Sequence, residues 1–74
     1  MFESTFQVKF LGDQTDEHGR LHHCFEAEIR GMEYSTILFD LGESGYVIMC
    51  SKHFHQLPKE LHDELVQTAL QHLA

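Results

Sequence analysis

Two short clusters hold most of the side chains that could do chemistry. His22, His23 and Cys24 are consecutive, and Cys50, His53 and His55 fall within a second stretch. Thiolates and imidazoles are zinc ligands, and structural zinc takes four of them in a tetrahedron, usually paired through short spacings. Cys50-x-x-His53 has such a spacing, and Cys24 offers a third ligand but no second pair. A thiol beside an imidazole is also the start of a cysteine nucleophile. That chemistry needs the base within hydrogen-bond reach and a third group to orient it. Cys50, His53 and His55 are the candidates, in a site assembled at a dimer interface, because a chain this small has little room for a closed pocket of its own. Residues 42–45, Gly-Glu-Ser-Gly, fall one short of a G-x-S-x-G nucleophile elbow and lead into a strand rather than a helix. Phosphate-cradling glycine loops are absent from the sequence. The simpler expectation is that both cysteines act as small apolar residues, that His23 faces the core and His22 faces solvent. On that expectation the chain is not an enzyme, holds no metal and needs no cofactor. A zinc-binding domain and a small enzyme are the alternatives.

The carboxylates point elsewhere. Twelve Asp and Glu stand against five Lys and Arg in 74 residues, a formal net charge of −7. Phosphate binding is driven by Lys and Arg releasing counterions, so nucleic acid is not expected as the direct partner. The charge suits a protein with a basic surface. One such protein is a nucleic-acid-binding protein whose phosphate sites the carboxylates would occupy. The acids concentrate in two places: Asp13, Asp16 and Glu17 in the first polar stretch, and Glu60, Asp63 and Glu64 near the end. These six are the expected partner-binding residues. Their spacing is not that of a calcium loop.

Two cysteines do not make a disulfide framework. The longest apolar run, residues 46–50, is far short of the roughly 20 residues of a membrane span. A soluble, cytoplasmic protein with no membrane partner is expected, folded as a single domain over residues 1–74.

The elements that must position these side chains follow from periodicity. Residues 2–11 alternate, with Phe2, Phe6, Val8 and Phe10 on one face, and read as a strand. Residues 12–19 are polar, bounded by glycines, and read as a loop. Residues 20–30 alternate again: Leu21, His23, Phe25, Ala27 and Ile29 share a face, and Arg30-Gly31 follows as a hairpin turn. Strands are expected over 32–39 and 46–51, joined by a turn over 40–45. Pro58 suits the start of a helix. Leu57, Leu61, Leu65, Ala69 and Leu73 then recur every fourth residue, with Val66 and Leu70 beside them, which makes the helix amphipathic.

The expected fold is α+β: a four-stranded antiparallel meander (β-β-β-β-α) with one C-terminal amphipathic helix packed on one face. A lone helix leaves the other face open. The third and fourth strands have consecutive apolar residues, so both of their faces need cover. A homodimer is expected through Ile37, Phe39, Val47 and Met49.

Overall fold

The computed structural model describes residues 6–31 and 36–73. Four strands, β1 (Phe6–Thr15), β2 (Leu21–Ile29), β3 (Thr36–Leu41) and β4 (Val47–Cys50), pair antiparallel in the order β1-β2-β3-β4. A 3-10 turn (Lys52–Gln56) then leads to helix α1 (Lys59–Leu73). The fold is therefore the expected α+β meander with one C-terminal helix. Among the described residues, no helix is long and apolar enough to cross a membrane.

Alternation in β2 decides which face is the core. Phe25, Ala27 and Ile29 are buried, and Phe25 and Ala27 stand opposite Phe39 and Ile37 of β3. Leu61, Leu65 and Ala69 of α1 close over them together with Leu57, as the four-residue spacing requires. Phenylalanine rings cross this layer from strand to strand. Phe10 meets Phe25 at 5.3 Å between centroids, Phe25 stacks on Phe39 at 5.6 Å, and Phe39 meets Phe54 of the 3-10 turn at 5.0 Å. Each such pair adds about 0.5–1.5 kcal/mol beyond the burial of its area. Pro58 stands at the edge of α1, where its carbonyl accepts the His62 N–H at 3.0 Å and its own missing N–H costs nothing.

The structure corrects several boundaries. The first strand runs on to Thr15, so the expected loop over 12–19 shrinks to the tight turn that follows it; residues 1–5 lie outside the described residues. The third strand begins at Thr36 and ends at Leu41, with the expected 32–35 portion outside the described residues. The turn expected over 40–45 moves to residues 42–46, held by Gly42 N–H on the Tyr46 carbonyl and Gly45 N–H on that of Gly42. The self-association surface is also corrected. Ile37 and Phe39 are 0% and 1% exposed under α1, and Val47 packs against the same core. Of the four expected residues only Met49 is exposed on the opposite face. Residues 37–39 are all apolar, so their own pattern carries no phase, and pairing with Ala27 and Phe25 sets it.

The polar end of β1 departs from the expected loop because the strand contains a β-bulge and its pairing with β2 continues beyond it. Phe10 pairs with Phe25 and Gly12 with Cys24, which leaves Leu11 as the extra residue. Gly12 takes φ +125° there. The inserted residue reverses the alternation, so Asp13 comes opposite His23 and Gln14 opposite His22. Nothing lies within 4 Å of where a Gly12 Cβ would stand. The cost of a side chain is thus purely that of the backbone conformation. Gly12→Ala is expected to lower unfolding free energy by about 1–3 kcal/mol, read as a shift of the urea midpoint with unchanged slope.

Candidate functional site

The open face of the sheet carries the most organised polar cluster. Asp16 begins the turn after β1, and its Oδ1 accepts the His18 and Arg20 N–H groups, both at 2.9 Å. Such a side-chain turn is what a short carboxylate does at a chain reversal. It aims the other oxygen, Oδ2, at His22, where Nε2 lies 2.8 Å away. The other ring nitrogen, Nδ1, lies 3.1 Å from Oδ2 of Asp40 on β3. His22 is therefore buried between two carboxylates, and the expectation that it faces solvent is corrected.

The geometry dictates the protonation state. An ionised carboxylate only accepts hydrogen bonds, and a neutral imidazole donates from one nitrogen only. Both contacts are satisfied together only by the imidazolium. The hydrogen bonds to Asp16 and then Asp40 raise the His22 pKa above its ordinary value, against the opposing effect of burial. The Asp16 carboxyl is lowered, first by the His22 hydrogen bond and then by the Arg20 N–H. His23, in register with Asp13, has its Nδ1 2.6 Å from Asp13 Oδ1, the partner that the bulge supplies.

The thiols are arranged differently. Cys24 lies on the open face, where its Sγ approaches the His22 carbonyl at 3.9 Å. Burial, then the nearby Asp40 charge, pushes its thiol up. Cys50 stands opposite Phe39, packs against the core, and places Sγ 3.2 Å from Nε2 of His55. Burial raises this thiol too, the wrong direction for a nucleophile that must ionise near neutrality. Strand β3 separates Cys24 from Cys50, so the structure does not bring Cys24, Cys50 and His53 together. Among the described residues no group of three or more His, Cys, Asp or Glu is arranged to hold a metal ion.

Beside the Asp16–His22–Asp40 cluster the open face is apolar. Leu11, Leu38 and Met49 are 49%, 50% and 61% exposed. With Cys24 and Asp40 they border a hollow of about 430 Å³. Ser51 lines it as well, and its buried Oγ has no hydrogen-bond partner among the described residues. Leu11, Leu38 and Asp40 were not among the expected site residues. The signal for Leu38 was the phase of β3, and for Leu11 it was the bulge. Asp40 was hidden because the turn was expected to begin there.

The six expected partner-binding acids do not form one surface. Asp63 and Glu64 border a shallow hollow with Phe6, at the start of β1. Asp13 lies near its far end and Asp16 and Glu17 beyond it, about 20–30 Å away at a strand's rise of about 3.3 Å per residue. Asp13 and Asp16 are engaged by His23 and His22, whereas Glu17 and Glu60 are exposed.

Comparison with known proteins gives no matching family model, no similar curated protein and no similar solved structure.

The two shifted groups of the His22 cluster define a pH window. A histidine with a raised folded pKa contributes stability that is fully present below about pH 6.5, its unfolded value, and is lost as pH rises through the folded pKa. A carboxyl with a lowered folded pKa contributes stability present above about pH 4, and loses it as pH falls through the folded value. The contribution of the cluster is therefore greatest between these limits. Melting temperature, scanned over pH, is expected to fall on the alkaline side in the native chain, with that slope reduced in His22→Gln. For the thiols, Cys24 and Cys50 are expected to react with a disulfide reagent at pH 7 more slowly than free cysteine, and to approach its rate after unfolding in urea.

Proposed function

We propose that this chain is a small acidic protein-interaction module, with no reaction of its own, that docks through its open sheet face on a basic protein surface. The observation that carries this reading is the exposed apolar stripe Leu11–Leu38–Met49 on the face that α1 leaves uncovered. Exposed apolar side chains gathered round a hollow and rimmed by polar groups mark interaction surfaces more than isolated ones do. The rim supports a basic partner. Glu26 and Glu28 of β2 and Asp40 of β3 share this face, with Lys9 opposite Glu26. Acids outnumber bases there, as they do in the whole chain with its net charge of −7. A ridge of apolar side chains flanked by lysine or arginine complements both features.

A second copy of the chain is the competing occupant, since an isologous contact needs only one self-complementary patch. Charge weighs against it, because two copies bring like-signed rims together.

The test uses a fluorescent peptide alternating leucine and lysine. Anisotropy is expected to show binding that weakens as salt shortens the Debye length from about 10 Å at 0.1 M to about 3 Å at 1 M. Leu38→Asp is expected to weaken binding about tenfold, the effect of losing about 1.4 kcal/mol from a central contact. The same peptide with glutamate in place of lysine should not bind. Binding untouched by Leu38→Asp, or a sedimentation mass of two chains that Leu38→Asp reduces to one, would overturn the assignment of this face to a basic partner.

A further inference from the structure

Asp40 belongs to two arrangements at once. It borders the hollow on the open face, and it accepts a hydrogen bond from His22 Nδ1 at 3.1 Å. The proton that His22 needs in order to serve both carboxylates is therefore also a competitor for any cation that approaches Asp40 from the hollow. We propose that His22 gates the docking face: while its ring is protonated Asp40 is neutralised, and when the ring gives up its proton Asp40 is released to a lysine or arginine of the partner. This inference rests on the reading of the open face as the docking surface.

The geometry sets the order of events. Asp16 holds the shorter contact, 2.8 Å to Nε2, and Asp16 is itself fixed by two backbone N–H groups. A neutral ring keeps its one N–H toward Asp16. Nδ1 then turns a lone pair on Asp40, and that carboxylate loses its donor. A partner's cationic group takes the vacant position from the hollow side, and the displaced proton goes to solvent. Other groups facing the cluster do not substitute for this proton. Gln14 of β1 stands opposite His22 and does not titrate. Cys24, next on the same face of β2, has its thiol pushed up and stays neutral near pH 7. Arg20 engages Asp16 through its backbone N–H. Opposite Asp40, β4 presents Met49, which carries no charge. The His22 pKa lies above its ordinary value, which puts the transition at higher pH than that of an unperturbed histidine.

The experiment titrates the native chain with the leucine–lysine peptide across pH 5.5 to about 9, a range that brackets a histidine raised above its unperturbed value of about 6.5. Release of one proton on binding makes affinity rise by up to tenfold per pH unit below the His22 pKa and level off above it. His22→Gln and Asp40→Asn are each expected to remove that rise, and the His22 ring resonances are expected to titrate at lower pH in the bound state than in the free. If His22→Gln does not fold, by circular dichroism, Asp40→Asn and the ring resonances decide. Peptide binding that Leu38→Asp weakens but that keeps the same pH profile in Asp40→Asn, with His22 titrating identically free and bound, would overturn the gate while leaving the docking face intact. Absence of peptide binding at every pH would overturn the docking reading itself, and the gate with it.

Discussion

A four-stranded sheet has two faces, and one fifteen-residue helix (Lys59–Leu73) can cover only one of them. The covered face is solved by packing: Phe25, Ile37, Phe39 and Leu41 meet Leu61 and Leu65, and each such buried side chain contributes about 1.5–3 kcal/mol. In a domain this small, which buries about 60% of its unfolded surface, little apolar material is left to protect the second face. That face carries polar residues instead, with Lys9 opposite Glu26 and Gln7 opposite Glu28 in register, and His22 hydrogen-bonded between Asp16 and Asp40. Leu11, Leu38 and Met49 are the large apolar side chains left exposed on it.

The His22 cluster joins elements that packing does not. It ties the β1–β2 turn, through Asp16, to β3, through Asp40, by way of a β2 side chain. An ion pair of this kind is weak evidence for stability, since removing charges from water offsets much of their attraction. What it supplies is direction. The carboxylates accept in fixed positions, so the turn can lie against the sheet in one way only.

Much of this architecture was legible in the chain, and the parts that were not share a cause. The alternation of Phe25, Ala27 and Ile29 names the core face of β2, and the four-residue recurrence of Leu57, Leu61, Leu65 and Ala69 names the core face of α1. Both are local signals. The phase of Ile37-Leu38-Phe39 is not local, because three apolar neighbours fit either face until β2 pairs with them. The polar residues Asp13, Gln14 and Thr15 read as loop, yet they are strand because backbone pairing continues past the bulge. His22 shows no local sign of burial either. Its two carboxylates come from a turn and from a neighbouring strand, and only the register puts Asp40 beside it. The candidate site was thus hidden wherever it depended on pairing between strands.

The bulge has a consequence for solubility as well as for register. Among the described residues β1 is an outer strand of the sheet, ten residues long (Phe6–Thr15), and its outward side has no strand beside it. A long regular edge is a template for fibrils. The extra residue at Leu11 interrupts the even spacing of the backbone groups midway, and Lys9 places a charge just before the break. Neither half offers the unbroken run that a stacked β-assembly needs. The same irregularity that brings Asp13 to His23 therefore also guards this edge against zipping onto its own copies.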